Sequence, residues 1–423
     1  MVHVIEEANR CLQCKKPMCV EGCPISTPIP TMIKYLKDGD IKQGGKMVFE
    51  NNPLSIVCSL VCDHQAQCEG HCILARKGQA VHISSIENYI SDACLDQMEI
   101  ACAPKNGHMI AVIGAGPAGI TIAIEMTKMG YDVTIFDAKD KIGGVMQYGI
   151  PAFRLPKSIL ERYRKKLLSI GVKIRPNTTI GGALEIKDLL RDGYKAIFIG
   201  TGVWRPKKLG VVGESLGNVH FAIDFLANPS SYELGETIAI IGAGNTAMDV
   251  ARTILRSGSH RVTIYARRLT SDVSNEEREY ALLDGANMEY GYSVDRITDD
   301  GPVFHKNIFD DEGHIIGKDN EEIHVHADQT FIAVSQGPKS KLVDTTEGLK
   351  ASPSGLLMTD ERGQTTYPGI FAAGDVVLGA KTVVHATCYA KHVAKCMDEY
   401  VRTLGEDDSD HGSDGTNTRF RIG

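Results

Sequence analysis

Apolar residues in the first hundred positions recur at three- and four-residue intervals, as at Met32, Ile33, Leu36 and Ile41. That spacing lines one face of a helix. Thr31 follows Pro28 and Pro30, where an N-cap belongs. Asn51-Asn52-Pro53 stops the pattern. Beyond Cys102-Ala-Pro104-Lys-Asn-Gly107 the texture changes. Short unbroken apolar runs, the mark of strands buried on both faces, now dominate: 108–114, 132–136, 196–200, 237–242, 261–265, 330–335 and 370–373. Helices are expected at 120–129 and from about 382 to 404. The remainder, 406–423, begins Glu406-Asp-Asp-Ser-Asp-His-Gly-Ser-Asp. It is acidic, poor in apolar residues and expected to be disordered.

At 423 residues the chain exceeds what one ordinary core holds. A net charge of -7 leaves no basic excess to neutralise phosphates, which argues against a nucleic-acid partner. The opening residues lack the apolar stretch of a signal peptide. No apolar run is long enough to span a bilayer, so a cytoplasmic, membrane-free setting is expected. Disulfides are rare there. Yet eight of the twelve cysteines crowd into residues 11–72. Clustered thiols in a reducing compartment are more often metal ligands or redox groups than staples.

Two stretches share one grammar. The strand 108–114 runs into Gly114-Ala115-Gly116-Pro117-Ala118-Gly119, a helix follows, and a second strand ends at Asp137. This is the dinucleotide fingerprint in its required setting. The first glycine makes the turn, the second lets backbone approach a pyrophosphate, the third lets helix and strand pack, and the acid takes a ribose hydroxyl. In the second copy, Gly242-Ala243-Gly244-Asn245-Thr246-Ala247 follows strand 237–242. Its second strand ends in Ala266-Arg267-Arg268, with no acid. A carboxylate there would repel a 2′-phosphate, whereas guanidinium groups chelate it. An acid-marked site followed by a base-marked one indicates FAD first and NADPH second. The run 196–202 would close the first domain and 330–338 the second. A further strand ends in Gly374-Asp375, and the helix beginning near Thr382 would aim N–H groups at the flavin.

The fold class is therefore α/β, with two Rossmann-like nucleotide-binding domains and the FAD domain split by the inserted NADPH domain. A small α-helical cysteine domain precedes them. The boundaries read 1–107 for the helical domain, 108–233 and 338–405 for the FAD domain, and 234–337 for the NADPH domain.

The cysteines fall into two groups of four, Cys11, Cys14, Cys19 and Cys23 before Pro24, then Cys58, Cys62, Cys68 and Cys72. Spacing alone makes the second group a single site. Two such sites suit Zn²⁺ as well as iron–sulfur clusters. The nucleotide signatures downstream favour clusters, because a metal centre beside FAD has an electron to carry.

With those pieces in place, the chain resembles the small subunit of NADPH-dependent glutamate synthase over residues 5–405. The same module resembles the N-terminal part of dihydropyrimidine dehydrogenase and the flavoprotein subunits of NADPH:ferredoxin transhydrogenases and sulfide dehydrogenases. The run from Cys11 to Pro24, Cys68-Glu-Gly-His-Cys72 and Tyr148-Gly-Ile-Pro151-Ala-Phe-Arg154-Leu-Pro-Lys157 carry the likeness. The resemblance implies two [4Fe-4S] clusters, FAD and NADPH. Position by position, it gives Cys11, Cys14, Cys19 and Cys72 to one cluster. The other takes Cys23, Cys62, Cys68 and Glu87, leaving Cys58 over. It adds Gly143, Gly144, Val145, Arg154, Thr382 and Val383 to the flavin site, beside Gly374 and Asp375. To the NADPH site it adds Ser335. Two departures stand out: Ser274 where some relatives carry a base, with Arg278 as the candidate substitute, and Ser59-Leu60 where Gly-Arg is usual. Cys94, Cys102, Cys388 and Cys396 are expected to be ordinary packing or surface residues.

The implied function is electron transfer from NADPH through FAD and both clusters to an acceptor, a large-subunit or ferredoxin-like protein. A stand-alone NADPH reductase of ferric iron, disulfides or quinones, or a ferredoxin:NADP oxidoreductase, is the alternative. Homodimerisation stays open. No side chain is expected to serve as nucleophile or general acid.

Overall fold

The computed structural model describes residues 3–270 and 273–410. The N-terminal region is helical, with its main helices at Val4–Arg10, Ile29–Lys37, Ile41–Asn51, Ser55–Val61 and Ile83–Leu95. Gly39, at φ 78°, breaks the apolar repeat into two helices. Asp40 caps the second by accepting from Gln43 N at 3.2 Å. Thr31 is not a cap. The first helix starts at Ile29 with Pro28 as its N-cap residue, and Pro30 fills the first turn. A proline fits there because its missing N–H would be unsatisfied anyway and its φ is already helical. Met32, Ile33, Val48, Ile86 and Ile90 form a small separate core. Gly45 lets two helices touch, since a Cβ there would lie 2.4 Å from Cys94 Sγ. Cys94 is a packing residue, as expected.

The first nucleotide domain holds a five-stranded parallel sheet. Its order is Ile370–Ala372, Tyr194–Ile199, Met109–Ile113, Asp132–Phe136 and Lys173–Arg175. Side chains on the central strands are almost wholly buried, which is why these strands read as unbroken apolar runs. The helix Pro117–Lys128 starts inside the glycine fingerprint, earlier than the 120–129 expected, because Pro117 suits the first helical turn. The strand at 370–372 returns to this sheet after the inserted domain, so the FAD domain is split. The helix Val383–Asp410 then packs along Pro117–Lys128. It carries the backbone through the start of the acidic tail; residues 411–423, where disorder was expected, lie outside the described residues.

The inserted domain repeats the plan, with parallel order Val219–Phe221, Gln329–Ile332, Thr237–Ile241, Arg261–Ala266 and Asn287–Tyr290. Its first strand and the helix Ala222–Ala227 precede the expected boundary at 234. They belong here because the strand pairs with Gln329–Ile332 and Phe225 packs in this domain's core. Arg205–Pro206 pairs antiparallel with Gln336–Gly337, so the chain crosses between the domains both ways through one short ribbon. An antiparallel sheet, chiefly Tyr292–Thr298 and Gly301–Phe309, covers one face of the inserted domain.

An ion-pair network holds the two domains together. Arg154 donates to both carboxylate oxygens of Asp249, at 2.8 and 2.9 Å, and to Glu277 at 2.8 Å. Arg252 joins Glu277 at 2.8 Å and Asp284 at 2.9 Å. Phe153 lies under the guanidinium groups of Arg252 and Arg256, 4.8 and 4.5 Å from ring centre to carbon. The side chains of Arg154 and Asp249 are only 12% and 7% exposed. Burial raises the Asp249 carboxyl to about 6, against the opposing pull of Arg154. Arg154→Met leaves the buried Asp249 carboxylate without its cation, while Glu277 keeps Arg252; stranding one buried partner costs about 3–5 kcal/mol in such settings. Urea unfolding should show that loss, and unchanged stability would remove the network's role in docking the domains.

Candidate redox-cofactor sites

At the first fingerprint the three glycines have distinct environments. A Cβ on Gly114 would meet Gly200 O at 2.6 Å, and one on Gly119 would meet Gly114 O at 1.9 Å. Gly116 has only distant neighbours, at 3.9 Å, and caps the helix Pro117–Lys128. Its open side is the space a pyrophosphate needs beside a helix N-terminus. Gly144 closes on this loop, where a Cβ would lie 2.8 Å from Gly116 Cα. Gly143 N donates to Ala115 O at 2.7 Å. Asp137 accepts from Ala115 N at 2.5 Å and Lys139 N at 2.7 Å, and retains lone pairs for a hydroxyl. Gly374 sits against Ala118, placing Asp375 at the same helix start. Burial raises the Asp375 carboxyl to about 6 and pushes Asp137 up as well. Thr382 Oγ1 lies 2.6 Å from His385 Nδ1, just before the helix starting at Val383. Residues 114–119, 137, 143–145 and 374–375 therefore converge on one cradle whose open backbone and paired acids fit FAD. Arg154 lies at the domain junction, paired with Asp249 and Glu277.

The second fingerprint is similar. A Cβ on Gly242 would strike Ala333 O at 2.4 Å, whereas nothing lies within 4 Å of one on Gly244. The helix Asn245–Leu255 starts there, with Ala247 buried in the third position. Arg267 and Arg268 are exposed at the end of strand Arg261–Ala266. Ser335 lies just past Gln329–Ile332, the neighbour of the fingerprint strand, with φ at 89°, a left-handed conformation rare outside glycine and typical of functional loops. Ser274 caps the helix Asn275–Leu283 by accepting from Glu277 N at 3.3 Å. Arg278, on that helix, has its Nε buried without a hydrogen-bond partner among the described residues. These features fit an anionic dinucleotide.

All twelve cysteines are free thiols. Cys11, Cys14, Cys19 and Cys72 line one small cavity of about 30 Å³ with an open mouth. Burial pushes the Cys19 thiol up to about 11, with Cys72 and Cys11 adding to it. Gln13 Nε2 donates to Cys11 Sγ at 3.5 Å from a left-handed backbone, a contact that spacing did not suggest. Cys62 and Cys68 share a second, more enclosed environment with Glu87, and Cys23 faces Cys68. The Cys62 thiol is raised first by its hydrogen bond with Cys58 and then by burial. Cys58 thus lies beside Cys62, within hydrogen-bond reach of its thiol. Glu87 is 8% exposed and has no hydrogen bond or ion pair among the described residues, and burial raises it to about 8. A carboxylate that is buried, unpartnered and set beside the thiols of Cys62 and Cys68 has the chemistry of a metal ligand. Its helix is held by Asn88 Nδ2 donating to Ser59 Oγ at 3.1 Å and Ser91 Oγ to Ser55 Oγ at 2.9 Å. Ser59, a departure from the usual sequence, is therefore part of that support. The grouping of Cys58, Cys62, Cys68 and Cys72 that spacing favours does not occur.

Fold and sites together define a flavin- and pyridine-nucleotide-dependent oxidoreductase with an attached iron–sulfur domain. The pyridine nucleotide-disulphide oxidoreductase family model matches residues 108–390. The model for dihydropyrimidine dehydrogenase domain II, 4Fe-4S cluster, matches residues 2–99. The glutamate synthase [NADPH] small chain of Azospirillum brasilense is 31% identical over 95% of this chain and 90% of its own. The NAD-dependent dihydropyrimidine dehydrogenase subunit PreT of Salmonella typhimurium is 30% identical, over 94% of each chain. Among solved structures, Mycobacterium tuberculosis FprA in complex with NADPH aligns with a TM-score of 0.60 at 18% identity, over 74% of this chain and 88% of that one. The chain belongs to the pyridine nucleotide-disulphide oxidoreductases and, within them, to the family of the glutamate synthase small chain.

The environment of Glu87 yields a test. Glu87→Ala should take iron from about 8 to about 4 per chain, whereas Cys58→Ala should leave it near 8. Equal iron content in wild type and Glu87→Ala would exclude Glu87 as a ligand. In metal-free protein Glu87 titrates higher than in the unfolded chain, so folded protein holds the extra proton between about 4.5 and about 8. Stability of the metal-free form should fall as pH rises through that window, and Glu87→Gln should flatten the slope. A rise with pH would contradict the burial assigned to this group.

Proposed function

We propose that this protein takes electrons from NADPH and passes them, by way of FAD and two [4Fe-4S] clusters, to an acceptor on another chain. The observation that carries this reading is the buried, unpartnered Glu87 beside Cys62 and Cys68, with Cys23 next to Cys68 and with Cys23 and Cys62 packed on the flank of a nucleotide-binding cradle. When bound, FAD accepts electrons in pairs and releases them singly, which joins nicotinamide to iron–sulfur chemistry.

The residues of the chain supply binding and position. Gly116 and Gly144 bring backbone against the FAD pyrophosphate, and Asp137 takes a ribose hydroxyl. Asp375 accepts hydroxyl hydrogen bonds, and the helix starting at Val383 presents its positive end to the flavin, favouring negative charge there. Gly244 and the turn to Asn245 and Thr246 bind the second pyrophosphate. Arg267 and Arg268 take the 2′-phosphate, and Ser335 borders the nicotinamide end. Arg154, through Asp249 on the fingerprint helix itself, fixes that helix relative to the flavin cradle. Cys23 and Cys62 pack on the FAD-domain core, so their site is the inner one. Cys11, Cys19 and Cys72 pack on the separate helical core, and theirs is the outer, open site. Electrons would move from inner to outer. The relatives named as a small chain and a subunit support a partner chain as the acceptor.

The same two relatives are named for different nicotinamides, NADPH and NAD, at nearly equal identity. Coenzyme choice is therefore decided by residues, and Arg267 and Arg268 favour NADPH. NADPH should bleach the flavin much faster than NADH. Arg267→Ala combined with Arg268→Ala should lower kcat/KM for NADPH by about tenfold to a hundredfold, from the strength of hydrogen bonds to charged groups, and spare NADH. Equal losses with both coenzymes would remove the role given to these arginines.

A further inference from the structure

We infer that the mouth of the outer cysteine cavity is the docking face for an acidic protein that accepts one electron at a time. The inference rests on the proposed electron-transfer function and names the partner's chemistry. Two observations carry it.

The first is apolar exposure in one place. Leu12, Met18 and Ile73 are large hydrophobic residues left 61%, 36% and 45% exposed. All three line the cavity that Cys11, Cys14, Cys19 and Cys72 share. Scattered exposed leucines need no explanation, but a group gathered around one redox site marks a contact surface.

The second is charge. Residues 11–20 and 72–82, the segments that border this mouth, carry Lys15, Lys16, Arg76 and Lys77 and not one acidic residue. The whole chain has a net charge of -7, so this is a local reversal. All four cations are exposed, and none is in an ion pair among the described residues. An apolar centre with a polar, charged rim is the anatomy of a transient interface. A basic rim selects an acidic partner and speeds its approach. The rival explanation is that these cations offset the negative charge of the thiolate site. Lys15, Arg76 and Lys77 face water, where a charge does little for a buried neighbour. Docking here places the acceptor against the outer site. Each NADPH oxidised to NADP⁺ and H⁺ releases two electrons, which reduce two one-electron acceptors in succession.

The test uses anaerobically assembled holoenzyme. Its binding to an oxidised, acidic plant-type ferredoxin is measured at low and high salt, with a basic c-type cytochrome as control. Wild type should bind the ferredoxin in preference to the cytochrome, and more weakly as salt rises. The combination Lys15→Glu, Arg76→Glu and Lys77→Glu should weaken ferredoxin binding by about tenfold or more at low salt and flatten its salt dependence. Iron content and NADPH-driven ferricyanide reduction should stay at the wild-type level. Ile73→Ser should weaken ferredoxin binding at both salt concentrations. Three results would overturn the docking face: wild type fails to bind ferredoxin, the triple variant binds it as tightly as wild type, or ferricyanide reduction falls in parallel with ferredoxin binding. Absence of NADPH-driven ferricyanide reduction in wild type would sink the electron-transfer reading instead, so the two failures are distinguishable.

Discussion

A carboxylate buried among thiols, with no cation of its own, is the constraint that the N-terminal domain depends on. Ionised Glu87 would be costly in that setting, and neutral Glu87 still lacks a hydrogen-bond partner among the described residues. The helices that carry it gain nothing from it unless a metal centre is present. They are nevertheless built to hold it still, through the Ser59–Asn88 and Ser55–Ser91 hydrogen bonds. The helical core around Met32, Ile33 and Ile86 is small. Metal binding by the deprotonated thiols and by Glu87 would therefore contribute to folding as well as to chemistry.

Buried charge meets the opposite solution at the domain junction. Asp249 and Glu277 are also enclosed, but Arg154 and Arg252 are enclosed with them. A paired network of this kind adds little net stability compared with apolar packing, but it tolerates only one geometry. That property matters where it sits. Asp249 lies on the helix that opens at Gly244, so the pair ties the second nucleotide site directly to the Tyr148–Lys157 segment beside the first. The covalent link between the domains is only the ribbon Arg205–Pro206 and Gln336–Gly337. Orientation therefore depends on the ion pairs and on Phe153 under its two arginines.

Features with a local cause were legible in the sequence. Unbroken apolar runs announce strands covered on both faces, and glycines at fixed offsets announce the turns that follow them. The two parallel sheets, the split first domain and the convergence of 114–119 with Asp137 are of this kind. What was not legible depends on residues distant in the chain. Spacing groups Cys58 with Cys72, but Cys58, on the helix Ser55–Val61, hydrogen-bonds to Cys62, while Cys72 reaches Cys11 and Cys19. Nothing near Arg154 in sequence reveals Asp249. The boundary at 234 followed the strand with the glycine fingerprint, and the pairing of Val219–Phe221 with a strand a hundred residues later moved it. Gln13 gave no signal, since its role arises from a left-handed backbone that only the folded chain displays.

The proposed ligand sets have a geometric consequence that bears on the path of electrons. Cys19 belongs to the outer site and Cys23 to the inner one. Cys68 belongs to the inner site and Cys72 to the outer one. Two four-residue links therefore join the sites, and four residues span at most about 14 Å even when extended. The short helix Met18–Glu21 shortens the first link further. Neither site can move away from the other without breaking ligands in both. Independent four-cysteine sites would lack this property, because each could close locally and leave the distance between them to loop packing. Interlacing makes separation a covalent quantity. It also gives the carboxylate of the inner site its place: with Cys72 given to the outer one, the helix Ile83–Leu95, packed on Ser55–Val61, supplies Glu87.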